Sequence, residues 1–244
     1  MKRIFYMILR RFYLAPKYFF KLWWYSWHLE QYDDEACYEF LREFATLANK
    51  GGKVTIDKHG VENIPEENGF VLFPNHQGMF DVLAILESCP KAFRPVMKKE
   101  VSNIILVKQV RLLFRGFIMD REDVRDSIKV IAAMTKAVKE GKNCLIFPEG
   151  TRSRNGNKLL EFKGGSFKCA MSAKAPIVPV ALIDSYKAFD TSSIKPLTVQ
   201  VHYLPPICYE EYKGMKTPEV AEMVRTRIQQ YIDNVIGNIE EEVK

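Results

Sequence analysis

The stretch Phe70-Val71-Leu72-Phe73-Pro74-Asn75-His76-Gln77-Gly78-Met79-Phe80-Asp81 decides how this chain is read. An apolar run ends in proline, a polar turn follows, and a helical pattern opens near residue 80 and runs to 88. A short apolar run bounded by turn residues reads as a buried strand, and a strand followed at once by a helix is part of an α/β layer. The turn holds a histidine and a carboxylate five positions apart. On a regular helix the two would point about 140° apart and could not meet. They pair if His76 sits in the turn and Asp81 on the first helical turn. Asp81 then accepts a hydrogen bond from one imidazole nitrogen, fixing the tautomer and leaving the other free as a base. His28, His59 and His202 lack such surroundings.

The same alternation extends along the chain. Strands are expected at Lys53–Asp57, Phe70–Phe73, Phe93–Met97, Gly116–Met119, Asn143–Phe147, Ile177–Leu182 and Leu197–Tyr203. Helices are expected at 33–49 and near 80–88, 101–113, 123–140, 165–174 and 217–236. The fold class this implies is a layered α/β domain with a largely parallel central sheet flanked by helices. Asn75-His76, Asp120-Arg121 and Pro148-Glu149 each directly follow an expected strand, and in open α/β sheets sites gather beyond the carboxyl ends of strands. Three polar motifs are therefore expected on one edge.

Arginine presents a planar fork that matches phosphate oxygens, so Arg121 after one strand and Arg152 and Arg154 after another suggest a phosphate clamp. Glu149 suits a clamp partner, and Lys163 precedes an expected helix start, a favourable place for an anion. The plainer reading is surface salt bridges with Glu122, Asp123 or Glu149. No G-x-S-x-G elbow, Walker sequence, dinucleotide fingerprint or H-E-x-x-H helix occurs, so no metal or cofactor is expected. Five scattered cysteines without a C-x-x-C pair argue against a disulfide framework or zinc knuckle.

The net charge of +6 is concentrated at one end: residues 1–30 carry six basic side chains and one acidic, leaving the other 214 residues at +1. The same thirty residues hold all three tryptophans and eleven of the thirty aromatics, which marks a basic aromatic arm. Arg10, Arg11, Lys17 and Lys21 interrupt any span of the twenty apolar residues needed to cross a bilayer. At about 100° per residue Arg3, Arg10, Lys17 and Lys21 fall within roughly 40° of one another, giving a basic stripe. Pro16 breaks the segment into two short helices. Such an amphipathic arm fits a lipid interface, with Arg3, Arg10, Lys17 and Lys21 on anionic head groups and Trp23, Trp24 and Trp27 at the boundary. The plainer reading packs it on the protein's own core. No nucleic-acid motif accompanies it. Residues 1–50 are thus expected as membrane-interface helices and 51–244 as a catalytic domain.

Asn75-His76-x4-Asp81, Gly116-Phe117-Ile118-Met119-Asp120-Arg121, Phe147-Pro148-Glu149-Gly150-Thr151-Arg152-Ser153 and Ile177-Val178-Pro179-Val180 closely resemble the four ordered blocks of the glycerolipid acyltransferases, most nearly the branch that acylates lysophosphatidate. The resemblance covers about residues 53–205. It implies transfer of a fatty acyl group from acyl-CoA or acyl-acyl-carrier protein to the sn-2 hydroxyl of 1-acyl-sn-glycerol-3-phosphate, giving phosphatidic acid for phospholipid biosynthesis. His76 held by Asp81 would be the base, and Arg121, Glu149, Gly150, Thr151 and Arg152, helped by Lys163, would bind the phosphate. Pro179 would shape the pocket. The implied setting is a monotopic or peripheral position on the cytoplasmic face of the cell membrane, with no resident cofactor. One position departs from the family's pattern: Gly78 stands where serine is frequent, which puts that hydroxyl's contribution in question. The alternatives are a sibling enzyme acting on glycerol-3-phosphate or another lysolipid, and a non-catalytic lipid-binding scaffold.

Overall fold

The computed structural model describes residues 2–102 and 104–242, the side chains of 239–242 excepted. Three helices come first, α1 (Lys2–Arg11), α2 (Ala15–Trp27) and α3 (Asp34–Gly51). Strands and helices then alternate: β1 (Val54–His59), β2 (Val71–Pro74), α4 (Asp81–Ser88), β3 (Arg94–Lys98), α5 (Val107–Leu113), β4 (Phe117–Met119), α6 (Val124–Lys139) and β5 (Cys144–Leu145). After them come α7 (Lys168–Ala173), β6 (Ile177–Ile183), the single turn α8 (Tyr186–Phe189), β7 (Leu197–Tyr203), the single turn α9 (Tyr209–Tyr212) and the long α10 (Thr217–Glu242).

The seven strands form one sheet in the order β1-β7-β6-β2-β5-β3-β4. Strands β2 to β6 run parallel; β7 is antiparallel to β6 and parallel to β1. The carboxyl ends of β2–β6 therefore share an edge with the amino ends of β1 and β7. Because strand side chains alternate, each central strand feeds two cores. Phe70, Leu72, Leu145, Val178, Val180 and Leu182 pack on the α3–α4 side. Val71, Phe73, Cys144, Ile146, Ile177 and Ala181 pack on the side of α6, α7 and α10.

The expected elements form, with three adjustments. The strand expected over Asn143–Phe147 is shortened to β5: Ile146 still donates to Leu72 O at 3.1 Å, but then the chain turns and Gly150 N–H donates to Phe147 O at 3.1 Å. The helix expected over 101–113 forms only from Val107, because Ser102 Oγ folds back on Lys99 O (2.7 Å) and Leu106 takes a left-handed φ of 70°; residue 103 lies outside the described residues. The helix expected over 165–174 opens as a 3-10 turn before α7. Asp33 and Asp123 cap α3 and α6, accepting from Ala36 N and Arg125 N at 2.8 Å. Arg94, Arg115 and Lys142 converge on Asp34 at 2.7, 2.7 and 3.7 Å, which fastens the start of α3 to the far edge of the sheet.

The arm corrects one expectation. Two helices form with Pro16 in the first turn of α2, where a missing N–H costs nothing. The basic stripe, however, faces the protein. Arg3 is buried, its guanidinium donating to Gly52 O (2.6 Å), Ser193 O (3.1 Å) and Lys195 O (2.9 Å), so it is an anchor and not a lipid contact. Arg10 reaches Gly51 O at 3.3 Å, and Lys21 lies over the Phe40 ring, 3.9 Å from Glu43. Arg10, despite that bond, and Lys17 stay exposed. The outward face holds Phe5, Ile8, Leu9, Phe12, Phe19, Phe20, Trp24 and Trp27, with Trp23 half-buried.

At the β1–β7 edge, His59 and His202 stack with centroids 4.4 Å apart. His202 is buried, with Nε2 donating to Gln200 Oε1 (2.8 Å) and Nδ1 accepting from Tyr231 O–H (3.1 Å), a pattern that suits the neutral ring. Burial, then the neighbouring His59, hold its pKa down from 6.5 to about 4, against a smaller pull from Asp57. A group whose folded pKa is depressed contributes stability above its unfolded pKa and loses it as pH falls toward the folded one. Stability should therefore fall by about 2 kcal/mol between pH 6.5 and 4, and His202→Gln should flatten that part of the curve in denaturant titrations.

Candidate active site

At the end of β2, Pro74 supplies no N–H, and the Asn75 side chain extends the pairing in its place. Its Nδ2 donates to Leu182 O (3.1 Å) and its Oδ1 accepts from Leu182 N–H (2.7 Å), a pair of hydrogen bonds to β6 that fixes where the chain turns. The turn then folds around the carboxylate of Asp81, the first residue of α4 and fully buried. His76 Nδ1 lies 2.7 Å from Oδ2, Gln77 N–H donates to Oδ2 at 2.6 Å, and Gly78 N–H is shared between Oδ1 (3.1 Å) and Oδ2 (3.0 Å). The awkward five-residue spacing is thus useful: His76 is in the turn, Asp81 on the helix, and the two are bonded. Ionised aspartate only accepts, so Nδ1 carries the proton and Nε2 presents its lone pair. The imidazole stacks on Phe147 (4.1 Å between centroids), and its side chain keeps 15% exposure, enough for access.

Glu149 was expected on the phosphate and is placed otherwise. It is buried, Oε1 accepting from His76 N–H at 2.7 Å and Oε2 from Leu160 N–H at 3.1 Å. Both oxygens are spent on the chain's own backbone, so Glu149 holds the histidine turn from below. Burial raises its pKa, and the two backbone donors oppose that rise. Ser153 N–H closes the same junction on His76 O at 2.8 Å.

Arg121 and Lys163 come together at Gly150. Arg121 Nη1 donates to Gly150 O, and Gly150 has a left-handed φ of 69°; a Cβ there would sit 2.9 Å from Lys163 Nζ. Burial lowers the pKa of Arg121, which bonds a carbonyl instead of a carboxylate. Neither cation has an ion-pair partner among the described residues; Glu100, further off, offsets part of the charge on Arg121. Arg152 lies on the opposite flank, 3.9 Å from Asp190, whose carboxylate borders Gly78; Thr151 and Arg154 are exposed. The clamp is therefore split, with Arg121 and Lys163 on one side and Arg152 on the other. A cleft of about 740 Å³ opens from the first side, with Val96, Met119, Ile128, Ile131 and Ile146 on its walls and Phe147 as the wall shared with His76. A smaller cleft of about 250 Å³ near Asp34 and Asn143 lies at the opposite edge, away from this chemistry.

Sequence reasoning passed over Asn75, Gln77, Asn157 and Ser185. Gln77 links Asn157 Oδ1 (2.7 Å) to Ser185 N (2.8 Å), and Asn157 also takes Asp184 N–H (3.0 Å). Asn75 and Gln77 flank the histidine in the opening stretch and could have been flagged as buried amides; the other two carry no local signal.

If Glu149 holds the turn through its two oxygens, Glu149→Ala leaves two buried N–H groups unpaired and should lower Tm by roughly 4–10 °C. Glu149→Gln keeps the shape but turns one acceptor into a donor facing an N–H. It should lower Tm by roughly 2–5 °C, about half the loss of the alanine variant, and lose about tenfold in kcat because the histidine's seat is disturbed. Thermal melts beside steady-state rates for both variants check this.

Residues 55–183 match the family model described as Acyltransferase. The 1-acyl-sn-glycerol-3-phosphate acyltransferase alpha of Bos taurus is 30% identical over 176 residues, covering 70% of this chain and 61% of that protein. The 1-acyl-sn-glycerol-3-phosphate acyltransferase of Borreliella burgdorferi is 26% identical over 178 residues, covering 72% and 71%. The chain thus spans about three fifths of the mammalian relative's length. Among solved structures, the 1-acyl-sn-glycerophosphate (LPA) acyltransferase PlsC from Thermotoga maritima superposes with a TM-score of 0.77, covering 96% of each chain at 22% identity, which establishes a shared fold. With the family match spanning more than half of its length, this chain belongs to the acyltransferase family.

Proposed function

We propose that the protein is an O-acyltransferase that moves a fatty acyl group from a thioester donor, acyl-CoA or acyl-acyl-carrier protein, to the sn-2 hydroxyl of 1-acyl-sn-glycerol-3-phosphate at a membrane surface. The observation that carries this reading is the juxtaposition at one sheet edge: a histidine with a free Nε2, two cations at Gly150 with no ion-pair partner among the described residues, and an apolar cleft sharing Phe147 with that histidine. A base, an anion site and an acyl-sized apolar wall are the three things the reaction needs. The names carried by the relatives agree with it.

In this mechanism Nε2 takes the proton of the sn-2 hydroxyl as the oxygen attacks the thioester carbonyl. The imidazolium stays bonded to Asp81. Collapse of the tetrahedral adduct breaks the C–S bond, and the thiolate takes the proton back from Nε2, leaving phosphatidic acid and a free thiol. A thiol with a pKa near 8.5 leaves readily, so no separate strong acid is needed. Arg121 and Lys163 would hold the phosphate, with Arg152 closing from the other flank. Glu149 and Gly150 act through the backbone they shape.

The lipid setting rests on where apolar surface remains exposed. Among the described residues the exposed large apolar side chains lie on α1, α2 and the turn between them, at Phe44 beneath them, or at the active-site edge: Met79 after β2, Val101 and Ile104–Leu106 after β3, Val124 and Ile128 after β4, and Ile194 before β7. Arg3 ties α1 to that same edge through Gly52, Ser193 and Lys195. No helix is long and apolar enough to cross a membrane among the described residues, so contact would be peripheral. The apolar face meets the lipid, and most of the basic stripe stays with the protein.

With acyl-CoA and acyl-carrier-protein donors, the wild type should acylate 1-acyl-sn-glycerol-3-phosphate in preference to glycerol-3-phosphate, and His76→Ala should lose about 10²–10⁴ in kcat. Equal turnover by the variant would remove His76 from the mechanism; a preference for glycerol-3-phosphate would change the acceptor. For the membrane, Phe12→Glu with Trp27→Glu alters only exposed side chains and should weaken co-flotation with phosphatidylglycerol vesicles at least about tenfold. Undiminished flotation would dismiss the arm's apolar face as the anchor.

A further inference from the structure

Asp81 has one more donor. Ser185, fully buried just beyond β6, places Oγ 2.5 Å from Asp81 Oδ1, the oxygen that His76 does not use. Its own orientation is fixed from several sides. Gln77 Oε1 accepts Ser185 N–H at 2.8 Å, and Ser185 O accepts Ala188 N–H at 3.1 Å. Asp184 holds a left-handed φ of 63° while its N–H is gripped by Asn157 Oδ1 at 3.0 Å. A non-glycine residue in that conformation is strained, and the surrounding bonds hold it there. The strain turns the chain out of β6 so that the next residue points at Asp81. Gly78 belongs to the same arrangement. A Cβ on it would lie 3.3 Å from Tyr186 Cα and 3.2 Å from Asp190 Oδ2, so the segment that brings Ser185 in leaves little room for a side chain at 78.

We propose that Ser185 is a positioning residue for the reaction: its hydroxyl holds Oδ1 of Asp81 so that Oδ2 stays aimed at His76 Nδ1, and by sharing the carboxylate's charge it sets how strongly Asp81 draws on the imidazole. The proposal rests on His76 being the base. Without the hydroxyl, the carboxylate keeps its two backbone donors but regains rotational freedom, and its undivided charge holds a protonated imidazole more firmly. Other ionisable groups around the pair are Glu149 behind His76, Asp190 with Arg152 across Gly78, and the ion pair Asp184–Lys187 beside Ser185; none hydrogen-bonds Ser185 Oγ.

The test compares wild type, Ser185→Ala, Ser185→Thr and His76→Ala in kcat, KM, melting temperature and the pH profile of kcat/KM. Ser185→Ala is expected to lose about tenfold in kcat with KM little changed. The acidic limb of its profile should move up by about half a pH unit, the direction given by a stronger carboxylate–imidazolium pair. Ser185→Thr keeps the hydroxyl and should return the limb to its wild-type position. A purely structural serine would alter the melt or the rate and leave the limb in place, and that result overturns the proposal, as does wild-type kcat in Ser185→Ala. Full activity in His76→Ala overturns the reading beneath it instead, which separates the two failures.

Discussion

The carboxylate of Asp81 is the constraint on which the site depends. It has no exposed surface and accepts from four donors of its own chain, His76, Gln77, Gly78 and Ser185. Hydrogen bonds to a charged acceptor are worth about 1.5–3 kcal/mol each, and a buried charge short of partners is expensive. The turn after β2 therefore has little choice of shape, because another path would strand this carboxylate. The histidine's position follows from it, and so do the helix start and the absence of a side chain at Gly78. Asn75 and Glu149 brace the turn from the sheet side, each using both polar ends of its side chain on backbone groups.

The sheet topology gives this turn its neighbours. Since β1 and β7 run against the other strands, the active-site edge collects carboxyl ends from the centre and amino ends from one flank. The arm is pinned to those amino ends. One edge thus receives His76, Arg121, Lys163 and many of the exposed apolar side chains.

Much of this placement was legible in the sequence, because the residues concerned stand at strand ends. His76, Asp81, Arg121 and Lys163 each stand just beyond an apolar run or before a helix, and alternation is enough to bring them to one side. The failures have a common cause. Arg3 falls on a basic stripe by any periodicity, but whether a stripe faces inward depends on carbonyls at 52, 193 and 195 that no local pattern announces. Glu149 looks like a ligand-facing acid because its backbone partners are invisible in a string of letters. Ser185 reaches Asp81 across 104 positions, through the adjacency of β2 and β6 and a left-handed residue that propensity would not have placed there.

Arg3 also orders events in time. Its anchor needs the carbonyls of Ser193 and Lys195, nearly two hundred residues further along. At a synthesis rate of roughly 5–20 residues per second, the interval between the emergence of the arm and that of its mooring is about 10–40 s. The arm therefore meets α3 early, but its full mooring waits until Ser193 and Lys195 have emerged. In that interval its aromatic residues have α3 beside them but no completed sheet, and any surface that greets them does so before β7 has joined β1 to β6.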